Sequence, residues 1–326
     1  MNVLVTGASG LLGRQVVQSF LDRGHTVRAM VRPASNLEQI QWVDRVELFR
    51  CDLRNPEKLD RAFDDVDAVV HLAACVTGDD QTRFASTVIA TEHLLDALSR
   101  SRTKQLVLAS SFSVYDYSAT RGPLDEQAPV ERRPGLYERD SYSVAKHWQE
   151  RIARRYSREH DWDLRILRPG FIWGRDQEWI SGMGEKFGPV RAVVAGLGRP
   201  PLTHVANCAD CFVTVTEHRN AAGETFNVVD GHGVRTWRYV KDYRRLKAQA
   251  DRSIHVPYWI GLSVAYVAKG LSRMLLGSGA RLPGLLIPRR FRARFKPIRC
   301  SPQKLERMLG WRPPLNYAQC LMQTYG

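Results

Sequence analysis

Apolar residues arrive in short runs through the first half of the chain, and the runs alternate with longer stretches in which apolar positions recur every three or four residues. The runs at 3–6, 26–31, 46–50, 68–71, 105–109 and 164–167 predict buried strands. The stretches 11–23, 56–63, 82–100 and 142–160 predict amphipathic helices. Strand and helix alternating at this spacing predict an α/β fold with a doubly wound parallel sheet. The rhythm breaks after Arg168-Pro169-Gly170. Residues 174–219 are rich in Gly, Pro and Trp and show no clear strand alternation, 223–230 (GETFNVVD) read as one more buried strand, and the C-terminal segment reads as helical and basic.

The first strand runs into Thr6-Gly7-Ala8-Ser9-Gly10-Leu11-Leu12-Gly13, which opens the first helix. Gly7 permits a tight turn, Gly10 lets backbone approach a diphosphate, and Gly13 lets the helix pack close to the sheet; the free N–H groups of the helix start then face the phosphates. Strand, loop and helix stand in the order a dinucleotide site requires. The expected organisation is therefore a Rossmann-type NAD(P)-binding domain over residues 1–172, completed by 220–250. Residues 173–219 and 251–326 are expected to form a smaller, mainly helical substrate-binding lobe.

The spacing TGxxGxxG resembles the extended short-chain dehydrogenase/reductase family, which includes sugar epimerases, dehydratases, dihydroflavonol-type reductases and hydroxysteroid dehydrogenases. That resemblance implies Gly7, Ser9, Gly10, Leu11, Leu12 and Gly13 as diphosphate contacts, Asp52 and Leu53 beside the adenine, and Leu72, Ala73 and Ala74 along the cofactor. It also implies Pro169, Gly170 and Phe171 next to the nicotinamide, with Trp173 in place of the usual aromatic. His71 is expected to be structural. NAD-binding relatives usually end the second strand on an acid that holds the ribose hydroxyls. Here Val31 and Arg32 stand there, and a guanidinium can pair with a 2′-phosphate through two parallel bonds. NADP(H) is the expected cofactor, with NAD(H) as the alternative.

Tyr142-Ser143-Val144-Ala145-Lys146 puts a phenol and an ammonium on one helix face. A free tyrosine, with a pKa of about 10, is a weak base near neutrality; a neighbouring ammonium favours phenolate. Tyr142 could then exchange a proton with an alcohol or carbonyl as hydride moves. The resemblance adds Ser111, after the fifth strand, as the hydroxyl that orients the reacting oxygen, and gives Lys146 a second role on the nicotinamide ribose. Ser111, Tyr142 and Lys146 are the expected catalytic triad.

Departures from the family pattern narrow the chemistry. Dehydratases place an Asp-Glu pair directly after the catalytic Ser/Thr, where this chain has Phe112-Ser113. Sugar-nucleotide epimerases often carry an arginine four residues before a His; that position is Pro200, beside Arg199 and ahead of His204. Thr87-Val88-Ile89-Ala90-Thr91 replaces a frequent N-V-x-G-T. The favoured reading is hydride transfer between NADP(H) and a ketone or secondary alcohol on a moderately large, lipophilic substrate. A nucleoside-diphosphate-sugar 4-epimerase is the alternative, and a catalytically silent NADP-sensing regulator is a remote one, against which the retained Tyr/Lys pair counts.

Composition changes this picture little. The 326 residues are 44% hydrophobic and 25% charged, enough for one large core or two unequal lobes. The net charge of +14 favours anionic partners without choosing one; with no helix-turn-helix or zinc signature, no nucleic acid is expected. Cys208-x-x-Cys211 reads as two small residues one helical turn apart, and no metal site is expected. The first strand begins at residue 2 and no long uncharged apolar run follows, so a cytoplasmic protein is expected. Residues 257–276 are strongly apolar yet carry Lys269 and Arg273, and 281–299 hold seven basic residues and no acid. The apolar stretch resembles the tail helices of hydroxysteroid dehydrogenases and dihydroflavonol reductases. It suits either a core-facing helix or contact with a membrane surface. Homodimer formation is expected to use the 82–100 and 142–160 helices.

Overall fold

The computed structural model describes the chain apart from residues 56, 58, 133, 134, 136, 189, 249–251 and 278–280. The strands come in chain order as β1 (Asn2–Thr6), β2 (Thr26–Val31), β3 (Glu47–Arg50), β4 (Ala68–His71), β5 (Gln105–Ala109), β6 (Asp163–Pro169), β7 (Phe171–Trp173), β8 (Gly184–Phe187), β9 (Val190–Val194), β10 (Leu202–His204), β11 (Thr225–Val228) and β12 (Arg252–Val256). Seven of them form one parallel sheet in the order β11-β6-β5-β4-β1-β2-β3. The order reverses direction between β1 and β4, and a doubly wound sheet opens a crevice at that point, beyond the strands' carboxyl ends.

Alternation along each strand builds a core on both faces. Val3 and Val5 point to one face, where they pack with Val16, Val17 and Phe20 of helix α1 (Leu11–Asp22). Leu4 points to the other, against Leu94, Leu95 and Leu98. The predicted 82–100 helix is broken into α2 (Asp80–Phe84), a π-turn (Ala85–Ile89) and α3 (Ala90–Ser99). The 142–160 helix is α4 (Ser141–His160), capped by the Asp140 side chain, which accepts from the Ser143 N–H. Of the expected 56–63 helix, the described part is a 3-10 turn at Asp60–Phe63; residues 56 and 58 lie outside the described residues.

The second half departs most from expectation. Residues 174–219 contain β8, β9 and β10, although no strand alternation marks them. Strands of three to five residues are too short for a period of two to stand out. β9 pairs with β8 on one side and β12 on the other in a three-stranded sheet, so the segment after residue 250 is not purely helical. Helix α5 (Val205–Glu217) sits in the core of the large sheet with α1, through Cys208, Cys211 and Phe212. Of residues 220–250, β11 joins the large sheet beside β6, whereas α6 (Thr236–Leu246) packs through Tyr239, Val240 and Tyr243 in a separate cluster with Trp173, Ile180 and Val193. Helices α7 (Tyr258–Leu276) and α8 (Pro288–Phe295) follow; α9 (Gln303–Leu309) and α10 (Tyr317–Tyr325) close the chain.

Candidate active site

The ends of β1, β4, β5 and β6 carry most of the residues singled out in the sequence. Gly7, after β1, has φ +70, and a Cβ there would come within 2.9 Å of the Ala73 nitrogen, so the loops after β1 and β4 touch only because Gly7 has no side chain. At Gly13 a Cβ would lie 2.1 Å from the Gly7 carbonyl oxygen, which seats α1 directly under the loop. Gly10 is the N-cap of α1 and brings no side-chain hydrogen bond, and the first turn of α1 carries no acid. An uncapped helix start beneath a loop of bare backbone fits a diphosphate. Leu11 and Leu12 begin the helix, and Leu12 and Leu72 pack against the core under it. Ala73 packs against the opposite face, and Ala74 follows it, half-buried.

Towards β2, the hydroxyl of Ser9 meets that of Ser35 at 3.3 Å, tying the glycine loop to the loop after β2. Arg32 opens that loop, exposed, with the Ser35 N–H bonded to its carbonyl oxygen. Ser35 was not singled out from sequence; a lone serine in a polar loop gives no signal there. Asp52 is already committed: it holds Arg54 through side-chain bonds of 2.6–3.2 Å, and that arginine holds its carboxyl below the usual carboxylate pKa. Leu53 is buried, and its carbonyl oxygen bonds His93 Nδ1 at 2.9 Å.

On the other side, Tyr142 opens α4 half-buried, and the Ser111 hydroxyl is the group that favours its ionised form. Burial pushes the phenol up to about 12, and Ser111 only partly offsets this. Ser111 Oγ also accepts from the Ser113 N–H at 3.1 Å. Lys146, one turn along α4, is buried. Its Nζ donates to the Ala109 carbonyl at 2.6 Å and to Gln149 Oε1 at 2.8 Å. Burial pulls its pKa down to about 7 against the pull of Glu150. Pro169 ends β6. Gly170 lies so close to Pro201 that a Cβ would stand 2.1 Å from its carbonyl oxygen, and the ring of Phe171 packs over Gly182 in the smaller lobe. Trp173 is fully buried, edge-on to His204 and Tyr239.

Lys146 ends a buried polar chain whose extent the sequence does not announce. Thr6 Oγ1 bonds His71 Nδ1 at 2.7 Å, His71 Nε2 bonds Thr91 Oγ1 at 2.8 Å, and Thr91 donates to the Thr87 carbonyl. Gln149 Nε2 donates to Thr91 Oγ1 at 2.8 Å. Because Thr91 spends its proton on Thr87, His71 is the donor at Nε2 and accepts from Thr6 at Nδ1. Burial first, and Lys146 second, hold His71 down to about 3, so it stays neutral. The Thr87 hydroxyl accepts from the Cys75 N–H, inside the π-turn. Gln149 stands three residues after Lys146 on one helix face, a spacing that could have flagged it. Its amide oxygen stabilises the ammonium form. In Gln149→Leu the alkaline limb of the kcat/KM profile should therefore move down by about one to two pH units, the worth of a hydrogen bond to a buried charge. Gln149→Glu should move it up; an unmoved limb in both variants refutes the role.

Beneath this layer, Glu150 accepts from Arg168 at 2.8 and 2.7 Å and from the Ser110 hydroxyl, and Arg168 lies over the Tyr115 ring at 4.8 Å. The pair ties α4 to β6 below the site. Cys208 and Cys211 lie buried on α5, their thiols pushed well up by burial, in a setting that suits packing. Asp230, His232 and Cys320 bring one ligand-type atom each within 4.8 Å of one another. All three have protein partners: Asp230 accepts from the His204 N–H and from Asn207, while His232 and Cys320 both bond the Leu315 carbonyl.

The model of the NAD dependent epimerase/dehydratase family matches residues 3–229. Across 98% of its length the chain is 25% identical to a ketoreductase of Stigmatella aurantiaca named for a 3-oxo-4-farnesyl-dihydroquinoline oxide, covering 95% of that protein. Also over 98% of its length, it is 27% identical to a 3β-hydroxysteroid dehydrogenase/Δ5→4-isomerase of Mycobacterium tuberculosis, covering 88% of it. The UDP-glucuronic acid 4-epimerase of Bacillus cereus, solved with UDP-glucuronic acid and NAD, superposes with a TM-score of 0.73 at 18% identity, over 100% of this chain and 98% of that one. Sheet order, the glycine loop at the β1/β4 switch point and the family match over the same residues agree: the chain belongs to the NAD-dependent epimerase/dehydratase family of extended short-chain dehydrogenases/reductases.

Proposed function

We propose that this protein is a cytoplasmic NADP(H)-dependent reductase that interconverts a ketone and a secondary alcohol on a lipophilic substrate, with Ser111, Tyr142 and Lys146 as its catalytic residues. The observation that carries the reading is Tyr142 at the start of α4 with Lys146 one turn further along the same helix, the buried ammonium held on the carbonyl that ends β5, and the Ser111 hydroxyl acting on the phenol. The bound nicotinamide supplies or takes the hydride. Ser111 and Tyr142 both donate to the carbonyl oxygen, which fixes its orientation. Tyr142 then passes its phenolic proton to that oxygen as negative charge grows on it, and the Lys146 ammonium stabilises the phenolate left behind. The lipophilic substrate is supported by the ketoreductase and steroid dehydrogenase among the relatives. Thermal-shift screening with NADPH, NADH and panels of sterols, phenolic ketones and sugar nucleotides should show stabilisation by NADPH together with a ketone. Stabilisation by sugar nucleotides alone overturns this reading.

Preference for the phosphorylated cofactor is assigned to Arg32. In Arg32→Ala, NADPH affinity should fall by about tenfold or more, the worth of a charge-assisted hydrogen bond, while NADH affinity holds. An unchanged NADPH/NADH ratio in a binding titration removes the assignment.

One observation favours the 4-epimerase reading: Arg199 and Arg299 line a cleft beside Trp173 and Asp230, where two guanidinium groups could hold a diphosphate. Cofactor stoichiometry separates the readings, because a reductase consumes NADPH in step with product and an epimerase does not. We also propose a homodimer through the 82–100 stretch and α4, which expose Ile89 of the π-turn and Trp148 of α4; sedimentation velocity of wild type and Trp148→Glu tests it.

A further inference from the structure

Helix α7 has its apolar side turned outward. Its buried residues, Tyr258, Leu262 and Ala265, form one stripe at positions i, i+4 and i+7, and Tyr258 and Leu262 pack with Phe291 and Phe295 of α8. The packing is close: a Cβ on Gly261 would lie 2.4 Å from the Phe291 ring. The opposite side carries Ile260, Val264, Val267, Leu271, Met274 and Leu275, all exposed, with Met274 and Leu275 at 76% and 73%. From Ile260 to Leu275 that side is about 22 Å long at 1.5 Å per residue. A contiguous apolar strip of this size marks an interaction surface.

Charge says what covers it. Residues 252–305 hold eleven Lys and Arg and no Asp or Glu, and so carry +11 of the chain's +14. At 3.6 residues per turn, Lys269 and Arg273 fall away from the apolar strip, where they reach the headgroup level when the strip is immersed. Among the described residues neither has an ion-pair partner. Arg292 of α8 stands over the Tyr266 ring at 5.4 Å, at the edge of the strip. Two copies meeting through α7 would bring two +11 segments together, which like-charge repulsion opposes. No helix among the described residues is long and apolar enough to cross a membrane.

We propose that α7 lies in the plane of an anionic bilayer surface, its strip among the upper acyl chains and its cations on the lipid headgroups. The site gains from this placement. α8, which carries α7, also carries Arg289, paired with Glu131 and Glu138, and Arg290, which donates to the Arg139 carbonyl. Those residues lie in the segment that leads into α4 and Tyr142. The docked helix is therefore tied, through α8, to the segment that leads into the proposed catalytic helix, whichever substrate the site takes.

The test is co-sedimentation of the full chain with phosphatidylcholine vesicles, with and without phosphatidylglycerol. Binding is expected on the phosphatidylglycerol vesicles, at least about tenfold weaker on phosphatidylcholine alone, and weakened by salt. Val267→Asp/Leu271→Asp should abolish pelleting, and Lys269→Glu/Arg273→Glu should weaken it by about tenfold or more. Val267, Leu271 and Arg273 are exposed and Lys269 is half-buried; an unchanged melting temperature and unchanged NADPH binding confirm that both variants fold. No pelleting of wild type, or pelleting that survives Val267→Asp/Leu271→Asp, overturns the proposal. So does a dimer that the same double variant dissociates, which would give the strip to a second copy of the chain.

Discussion

Tyr142→Phe should lower turnover by about a hundred- to ten-thousandfold, the range for removing a positioned general acid–base group. NADPH affinity should stay at the wild-type level, because the phenol faces the reacting oxygen rather than the phosphates. Phenylalanine keeps the ring in its half-buried place at the start of α4, so the melting temperature should hold as well. The pH dependence adds a sign. Burial keeps the free enzyme's phenol near 12, so ketone reduction, which needs the protonated phenol, should not depend on Tyr142 ionisation at neutral pH. Alcohol oxidation needs phenolate and should rise with pH. Single-turnover reduction with bound NADPH, compared across wild type, Tyr142→Phe and Ser111→Ala, measures the effect directly. Turnover within a few-fold of wild type in Tyr142→Phe would remove the residue from the chemistry.

The largest loss of stability is expected from Glu150→Gln. Glu150 and Arg168 are both almost wholly buried, and the variant leaves the Arg168 guanidinium in the core without its counter-ion. Removing one partner of such a pair costs about 3–5 kcal/mol, even where the intact pair contributes little net stability. Replacing both, in Glu150→Leu/Arg168→Met, should recover much of the loss. Burial raises the Glu150 pKa, but the Arg168 pair and the Ser110 hydroxyl outweigh it and hold the carboxyl below its ordinary value. A carboxyl depressed in this way contributes stability above the ordinary carboxylate pKa and loses it as pH falls through the folded value. The gap between wild type and Glu150→Gln in urea midpoint should therefore be full near neutrality and close in acid. A gap that is absent near neutrality contradicts the coupling.

The first half of the fold could be read from residues alone because each of its elements is local. A strand such as Val3–Thr6 is an apolar run bounded by a glycine loop, and α4 is a periodic stretch behind an Asp cap. The glycines at 7, 10 and 13 and the pair Tyr142/Lys146 were legible for the same reason: backbone freedom at one residue, and one helical turn between two. The strands β8, β9 and β12 were not: β8 and β9 are a hairpin too short to show alternation, and β12 exists only by pairing with β9 across some sixty residues of chain.

What the sequence by itself determined, then, is the alternating sheet, the glycine loop that opens α1 and the identity of the residues offered for chemistry. Only the tertiary structure decided which of them meet. It placed Gln149, Thr91 and His71 behind Lys146, and it committed Asp52 to Arg54. It put α5 in the large core and turned the apolar strip of α7 outward. The reason is physical. Periodicity records how apolar a face is but not what covers it, and a buried polar group's state is set by partners that the chain brings from far away.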